Sequence, residues 1–136
     1  MNWRIGPGSE DIGHADYVAR RVAAAGLALR PLSPVHVRGT RTATGDLVLT
    51  WVRRTRVSGD AWEIAEVPLG EAAEAYEVDI LAAGVTKRTL RTVTPVATYA
   101  AADQIADFGG LQNAVAVRVV QMSALVGRGG IATATV

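Results

Sequence analysis

From Leu32 to the C-terminus, apolar and polar residues alternate with the two-residue period of β-strands. In DLVLTWVR, residues 46–53, this alternation puts three large apolar side chains on one face of an extended chain: Leu47, Leu49 and Trp51. In EAYEVDIL, residues 74–81, charged residues oppose another apolar set: Tyr76, Val78 and Ile80. We therefore expect strands with one buried and one solvated face, as in antiparallel sheets.

Shorter runs continue the β pattern on both sides of these strands. LSPVHVR, residues 32–38, indicates a strand that Pro34 confines to a sheet edge or to the start of a strand, because proline donates no ladder hydrogen bond. Residues 86–99 indicate one or two strands, since Pro95 weakens the middle of the run. Several short strands separated by turn residues predict an antiparallel sandwich.

The C-terminal part supplies the last strands. NAVAVRVVQMSA, residues 113–124, alternates valines on one face, and IATATV, residues 131–136, alternates again after GRGG, which is expected to be a turn. The pattern predicts an all-β, seven-strand sandwich over residues 32–136. Its expected core includes these residues: Trp51, Tyr76, Val78, Val117 and Val119.

Two segments depart from the β pattern. ADYVARRVAAAGLALRP, residues 15–31, contains helix formers but also valine and tyrosine, so a helix and an extended arm both remain open. The pattern changes at Pro31, which predicts an N-terminal arm or linker over residues 1–31. AADQIADF, residues 101–108, is expected to form a helical turn inside a loop.

Composition limits the functional classes. The chain has 136 residues, a net charge of +1 and no cysteine, so we expect no nucleic-acid partner and no disulfide or thiolate chemistry. No apolar run approaches the roughly 20 residues of a membrane span, so no membrane insertion is expected. With 49% hydrophobic and 20% charged residues, the chain is rather apolar, which favours a surface partly covered by a partner.

The order of several short motifs resembles that of fibronectin type III domains, which are immunoglobulin-like sandwiches. A proline-containing first strand precedes LVLTW with Trp51, then Y-x-V at residues 76–78, and V-x-V-R-V at residues 115–119 before a Gly-x-Gly turn at residues 127–129. One feature departs from that family, because Ala114 stands where the late strand usually starts with an aromatic residue.

A second resemblance covers nearly the whole chain. The chain is similar to the C-terminal part of tail-hub, baseplate or host-specificity proteins of gene transfer agents and siphophages in these strings: WRIGPG, RPLSPVHVRG, LTWVRRTR, VPLGE, EAYEVDI and VVQMSALVGRGG. The resemblance implies a virion protein of the tail tip or baseplate, made in the cytoplasm of the bacterial host. It also implies several copies around the tail axis, bound to other tail proteins. Those relatives are usually much longer, so a stand-alone or split counterpart is expected.

The loop after the second predicted strand contains three arginines, Arg53, Arg54 and Arg56. Alternation puts Arg53 and Arg54 on opposite faces, which disfavours a convergent phosphate site. Acidic residues follow closely, and we expect the arginines to pair with them and to fix the loop: Asp60, Glu63, Glu66, Glu71, Glu74 and Glu77. An intersubunit ion-pair role remains the alternative.

Four residues are candidates for contact with a receptor or partner: Trp62, Arg56, Asp60 and Trp3. Trp62 follows Gly59-Asp60 in a turn-like context, where an exposed indole ring is able to stack on a sugar. Trp3 lies in the arm and is expected to insert into a neighbouring subunit or module.

Catalytic and metal-binding patterns are missing from the sequence. His14 and His36 have no metal-ligand spacing, and Ser123 lacks a nucleophile context. Glu71 and Glu74 lie in an acidic loop that is expected to be exposed, where nothing would raise a carboxyl pKa. We therefore expect no enzyme, no cofactor and no metal. The sequence favours a structural protein that scaffolds a tail tip and contributes to host attachment; the alternative is a module that itself binds a host receptor or glycan.

Overall fold

The computed structural model describes residues 2–21, 26–59, 63 and 67–136. Strands dominate these ranges, and two short helices accompany them. The strands are β1 Asn2–Ile5, β2 Val18–Arg21, β3 Val35–Arg41, β4 Leu47–Val52, β5 Tyr76–Ala82, β6 Val85–Thr92, β7 Val96–Tyr99, β8 Ala116–Ser123 and β9 Gly127–Thr135. The helices are a 3-10 turn, Leu27–Leu29, and α1, Ala101–Phe108.

Seven of these strands form an antiparallel sandwich. A three-stranded sheet has the order β3-β4-β7, and a four-stranded sheet has the order β6-β5-β8-β9. The strands β1 and β2 pair separately as a two-stranded hairpin. The predicted all-β fold is therefore confirmed, and the run 86–99 resolves into two strands that lie in different sheets and are separated at Pro95.

The core lies between the two sheets, as the alternation predicts. All five residues assigned to it from the sequence are buried, and they join the same apolar cluster: Trp51, Tyr76, Val78, Val117 and Val119. The rings of Trp51 and Tyr76 meet edge to face with centroids 5.2 Å apart, a favourable aromatic geometry that couples β4 of one sheet to β5 of the other.

One end of the sandwich, the closed end, is covered by α1 and by two tight turns at residues 42–46 and 83–84. The N-cap residue, Ala100, makes no side-chain hydrogen bond to the first turn of the helix. Instead, Asp46 of the first turn accepts a hydrogen bond from the Ala101 backbone N–H at 2.8 Å. Residues 101–108, which were expected to form a helical turn, thus form a helix whose first turn is capped by Asp46, a residue distant in sequence.

The proline predictions are also confirmed. β3 lies at the edge of its sheet and begins at Val35, directly after Pro34. A bulge between Val35 and Arg38 interrupts its register with β4, and His36 within it has a φ of 54°. His36 is exposed on this edge strand, as expected for a solvated strand residue.

Two expectations about the four-stranded sheet are wrong, and both concern β9. GRGG does not form a turn, because residues 124–126 turn and β9 already begins at Gly127. A side chain at Gly129 would approach the carbonyl oxygens of Gln121 and Pro31 to 2.8 Å, so glycine permits close backbone packing there. The strand carries Arg128 onto the outer face of the sheet.

Arg128 explains why the outer face of β5 is not fully solvated. Asp79 was expected to be wet, but only 3% of its surface is exposed. Its carboxylate accepts hydrogen bonds from the Arg128 guanidinium and from the Thr89 hydroxyl. Arg128 also lies 3.3 Å from Glu77, which pairs with Arg91 on the neighbouring strand. Charge pairing therefore covers a face that alternation alone assigns to water.

The N-terminal arm contains the two strands β1 and β2 and a 3-10 turn, Leu27–Leu29, among its described residues. Residues 18–21 form β2, which excludes a helix over that stretch, and residues 22–25 lie outside the described ranges. The segment after Gly26 packs on the sandwich, since the Gly130 backbone N–H donates to the Pro31 carbonyl at 2.8 Å. The predicted boundary at Pro31 remains a prediction.

Candidate binding surface at the loop end

The end of the sandwich opposite α1, the loop end, holds the long connection between β4 and β5. Its described residues, 53–59, 63 and 67–75, lie there beside the turns 93–95 and 124–126, because Val52 ends β4 and Tyr76 begins β5. Since the register pairs Val35 with Val52, the arm also enters the sandwich at this end. The long loop, two turns and the root of the arm thus share one surface.

Arg53 fixes the far part of the long loop. Its guanidinium donates to the carbonyl oxygens of Val67 at 2.7 Å and Pro68 at 3.1 Å. It also lies 3.9 Å from the Glu74 carboxylate. That carboxylate accepts a 2.6 Å hydrogen bond from the Tyr76 hydroxyl. A continuous set of contacts therefore runs from the core aromatic pair to the loop.

Arg54 and Arg56 attach the loop to the root of the arm. Arg54 donates to the carbonyl oxygen of Ser33 at 2.9 Å and to its hydroxyl at 2.8 Å. Arg56 donates to the Ala28 carbonyl at 2.9 Å and forms a 2.9 Å ion pair with Glu71. Charged donors make stronger hydrogen bonds than neutral ones, so these contacts hold the arm root against the loop.

The expected pairing of arginines with the acidic run is correct for some residues and wrong for others. Glu71 pairs with Arg56, and Glu74 lies near Arg53, but among the described residues Arg54 binds Ser33 and no carboxylate. The Glu71 side chain is only 7% exposed, so the expectation of an exposed carboxylate there is wrong. The ion pair with Arg56 removes it from solvent. Asp60 and Glu66 lie outside the described residues.

Burial and hydrogen bonding alter the acidity of Tyr76 at this end. Burial raises the pKa of the Tyr76 hydroxyl well above its ordinary value, and the hydrogen bond to Glu74 raises it further. The hydroxyl therefore stays protonated and acts as a donor. The Tyr76 hydroxyl therefore holds the Glu74 carboxylate in place by a hydrogen bond.

A cleft of about 340 Å³ opens between the loop and the 124–126 turn. The residues lining it are Leu29, Arg56, Gly70, Glu71, Ala72, Ser123, Ala124 and Leu125. Leu125 projects at the tip of its turn and is 85% exposed. The cleft therefore combines apolar walls with an ion pair, which suits contact with an uncharged ligand or a protein side chain rather than with a strong anion.

Of the two predicted contact residues that the structure describes, Arg56 lies in this cleft and Trp3 does not. Arg56 lines it, but its guanidinium is already bonded within the chain. Trp62 and Asp60 lie outside the described residues. Trp3 is half-exposed on β1 of the arm hairpin. The roles of these four residues remain predictions.

Leu125 and Leu29 were missed as surface residues because an isolated leucine between strands looks like any other apolar position. The usable signal is local: Ala124-Leu125-Val126 separates two alternating runs by three residues, the length of a hairpin turn. A large apolar side chain at the centre of such a turn cannot reach a core between the sheets.

Catalytic geometry is not found in the part of the chain that the structure describes. Ser123 accepts a hydrogen bond from the Leu125 backbone N–H at 3.2 Å, and His14 lies in the arm 3.5 Å from Asp16. No group of three potential metal ligands occurs among the described residues. In those same ranges, no helix has the length and apolar character needed to cross a membrane.

Comparisons with known proteins agree with this architecture. No protein-family model matches the chain, and a search of curated proteins found no match. Solved structures do match. Domains d3–d4 of the rat CD45 extracellular region align with a TM-score of 0.54 and 11% identity, over 100% of this chain and 62% of theirs. The chain therefore spans less than two thirds of that fragment.

A second solved structure, described as FN3tt mut, aligns with a TM-score of 0.51 and 16% identity, over 79% of this chain and 94% of its own. At these identities the likeness concerns the fold alone. Together with the strand order, it shows that the chain contains a fibronectin type III-like sandwich.

Proposed function

We propose that the protein is a structural component of the tail tip or baseplate of a phage or phage-like particle, where it scaffolds the assembly and contributes to host attachment. The similarity of its strings to tail-hub proteins supports this assignment, as does a fold in which a rigid core carries loops. The proposal includes several copies bound to other tail proteins in the virion. It includes no catalytic role and no cofactor.

The observation that carries the scaffold role is the attachment of the long loop to the arm root. Arg54 reaches Ser33 and Arg56 reaches Ala28, both through charged donors at hydrogen-bond distance. A recognition loop depends on donors that are free to meet a ligand. Here the described donors attach the arm root to the long loop, a contact that we call the joint. A stiff joint suits a protein that fixes the relative positions of its two neighbours.

The path of the chain is consistent with a spacer. The arm enters at the loop end, whereas Val136 pairs with Val115 beside α1 through backbone bonds of 2.7 and 3.0 Å. Residues 35 and 136 therefore lie toward opposite ends of the sandwich. Neighbours attached at these two ends would be held apart by the length of a strand-built domain.

Incorporation into particles tests the scaffold role. Arg54→Gln combined with Arg56→Gln should lower the amount of this protein in purified particles, because the arm root loses its attachment to the loop. Quantitative immunoblotting of the particles measures this. Arg38→Gln is the matched control, since Arg38 is an exposed arginine on β3. Normal incorporation of the double variant would contradict the scaffold role of this joint.

The cleft favours one alternative function, in which the loop end binds a host receptor or glycan directly. Its apolar walls include Leu29 and Leu125, and Trp62 belongs to the same long loop. A glycan array with the isolated protein tests this alternative. Specific binding that is lost in Trp62→Ala or Leu125→Ser, but kept in Val85→Ser at the other end, would make recognition the main function. If no glycan binds and Trp62→Ala particles adsorb normally, recognition is excluded as the main function and the scaffold role is supported.

A further inference from the structure

The β1–β2 hairpin of the arm presents an apolar face with nothing packed on it among the described residues. The register pairs Trp3 with Arg20 and Ile5 with Val18, so these four side chains share one face of the ribbon. Trp3, Ile5 and Val18 are 51%, 61% and 50% exposed. A two-stranded hairpin is at best marginally stable in water unless another surface covers its apolar face.

The connection between the two strands is nevertheless ordered. The Tyr17 hydroxyl donates to the carbonyl oxygens of Pro7 at 2.9 Å and Glu10 at 3.2 Å. Gly6 lies directly beneath the Tyr17 ring, where a side chain would approach the ring to 2.5 Å. These contacts fix the loop on its own strands. The hairpin over residues 2–21 is therefore preorganised, which lowers the entropic cost of docking.

Charge is separated along this hairpin. The strands carry Arg4, Arg20 and Arg21 and no acid, whereas the connecting loop carries Glu10, Asp11 and Asp16. Within the described ranges, the three arginines make no ion pair and no side-chain hydrogen bond. Four residues span about 13 Å as a strand. The basic and acidic parts of one hairpin thus lie apart, and each part lacks a counter-charge from the other.

We propose that the arms of two copies of this chain pair with each other about a two-fold axis. In an antiparallel arrangement, the apolar faces cover one another, and Arg20 of each copy, which shares that face, lies against the loop carboxylates of its partner. Such a contact is isologous, so each complementary pair of charges occurs twice. The result is a four-stranded unit in place of two marginal ribbons. The inference goes beyond the proposed function, because it holds whichever particle contains the protein.

A second copy fits the hairpin better than an anionic membrane does. A basic ribbon with tryptophan would suit a lipid surface, but the three carboxylates of its loop would be repelled by anionic headgroups. In a pair of hairpins, the same carboxylates become the binding partners. Because only a few apolar side chains meet per copy, we expect a weak dimer, as is usual for small interfaces. Several copies on one particle would strengthen it through avidity.

Sedimentation equilibrium of the full chain, from low micromolar to near-millimolar concentration, tests the pairing. The wild-type protein should show a monomer–dimer equilibrium. Trp3→Ser should weaken it by at least about tenfold, as expected for a buried aromatic at an interface centre. Val85→Ser, which alters an exposed valine on β6, should leave it unchanged. A wild-type chain that stays monomeric over the whole range would overturn the proposal.

Charge exchange tests the antiparallel arrangement. Arg4→Glu with Arg20→Glu and Arg21→Glu makes the hairpin acidic throughout, and Glu10→Lys with Asp11→Lys and Asp16→Lys makes it basic throughout, so each variant alone should be monomeric. An equimolar mixture should form a heterodimer. Unchanged thermal unfolding of the sandwich would show that both variants fold. Absence of the heterodimer, or dimers of either variant alone, would overturn the arrangement. So would binding of the monomer to phosphatidylserine vesicles that requires Arg20 and Arg21.

Discussion

The two ends of the sandwich use arginine in different ways. At the closed end, Arg88 of β6 binds the carboxylate of Asp107 at 2.7 and 3.1 Å and lies 3.2 Å from Asp103, both on α1. The Tyr99 hydroxyl, from the other sheet, donates to Asp107 at 2.7 Å. At the loop end, the arginines donate mainly to backbone carbonyl oxygens of irregular chain.

This difference suggests that the contacts at the closed end are rigid and that those at the loop end can rearrange. Arg88, Asp107 and Tyr99 belong to three regular elements, so each charge is held by a rigid part and the bonds link both sheets. In their described contacts, Arg53, Arg54 and Arg56 mostly meet neutral acceptors, which give weaker bonds than carboxylates. The partners lie in segments that have no ladder of their own. We infer that the closed end stabilises the fold and that the loop end is where shape can change on binding.

The largest effect is expected where the core approaches the loop end. Trp51→Ala should cost about 3–5 kcal/mol of unfolding free energy, because a buried aromatic leaves a cavity and loses its contact with Tyr76. Denaturant unfolding measures the loss. Val52→Ala, on the exposed side of the same strand, should change stability by no more than about 0.5 kcal/mol. A loss below about 1 kcal/mol for Trp51→Ala would mean that its ring does not lie in the core.

A pair of tyrosine variants compares the two ends directly. Tyr99→Phe should cost about 1.5–3 kcal/mol, because it removes a hydrogen bond to the charged Asp107 beneath α1. Tyr76→Phe should cost less, about 1 kcal/mol, since its partner Glu74 is more exposed than Asp107. Equal losses in chemical denaturation, or a larger loss at Tyr76, would remove the distinction between a closing network and a joint.

The closed end should also make stability sensitive to acid. The Arg88 guanidinium, followed by the Tyr99 hydroxyl, holds the pKa of the Asp107 carboxyl below its usual value. A lowered pKa in the folded state stabilises the fold above the ordinary aspartate pKa of about 3.9, and this stabilisation is lost as the pH falls through the folded value. Unfolding measured between neutral pH and about pH 2 should therefore show a smaller acid loss in Asp107→Asn. Asp16→Asn in the arm should keep the wild-type profile; identical profiles for all three proteins would exclude Asp107 as the source.

The smallest effect on global stability is expected at the joint. Arg56→Gln should leave the unfolding free energy within about 1 kcal/mol of wild type, because the pair with Glu71 links irregular segments. Hydrogen exchange in residues 67–75 and 26–31 should nevertheless become faster. Arg38→Gln should leave exchange in both segments unchanged. If exchange in the two segments stays at the wild-type rate in Arg56→Gln, Arg56 does not join the loop to the arm.

Alternation was sufficient to predict the core of the sandwich. Trp51, Tyr76 and Val117 are buried as expected. In a strand, successive side chains point to opposite faces, so every second residue faces the core. Asp79 shows the limit of that rule. Its position on the outer face follows from the period, but its burial depends on Arg128, which reaches it from a strand two places along the sheet.

Glycine-rich and helical segments were harder to assign for physical reasons. GRGG suggested a turn because glycine is common there, whereas Gly129 serves a close approach between β9 and the Pro31 carbonyl. The role of Tyr99 was also not predicted. The resemblance drew attention to a missing aromatic residue before β8, but the sequence did not reveal that an aromatic hydroxyl at the end of β7 would join α1 to the sheets. Both contacts connect residues distant in sequence.

The candidate surface was only partly predictable. Because charges of both signs occur close together in the loop, the sequence predicted that its arginines pair with its acids, and the pair of Arg56 with Glu71 confirms this in part. The partners of Arg54 and Arg56 at Ser33 and Ala28 were not identified, because backbone carbonyl groups occur at every residue and carry no sequence signal. The cleft beside Leu125 depends on how two connections meet in space, which no local pattern encodes.

Localisation of the protein in purified particles is the most direct test of the proposed tail-tip role. A small tag on Val136, visualised by gold labelling and electron microscopy, reports its position without altering the arm or the loop end. We expect gold at the distal tip of the tail, at several copies per particle. Label on capsids, or tagged protein found only in unassembled lysate, would contradict the tail-tip assignment.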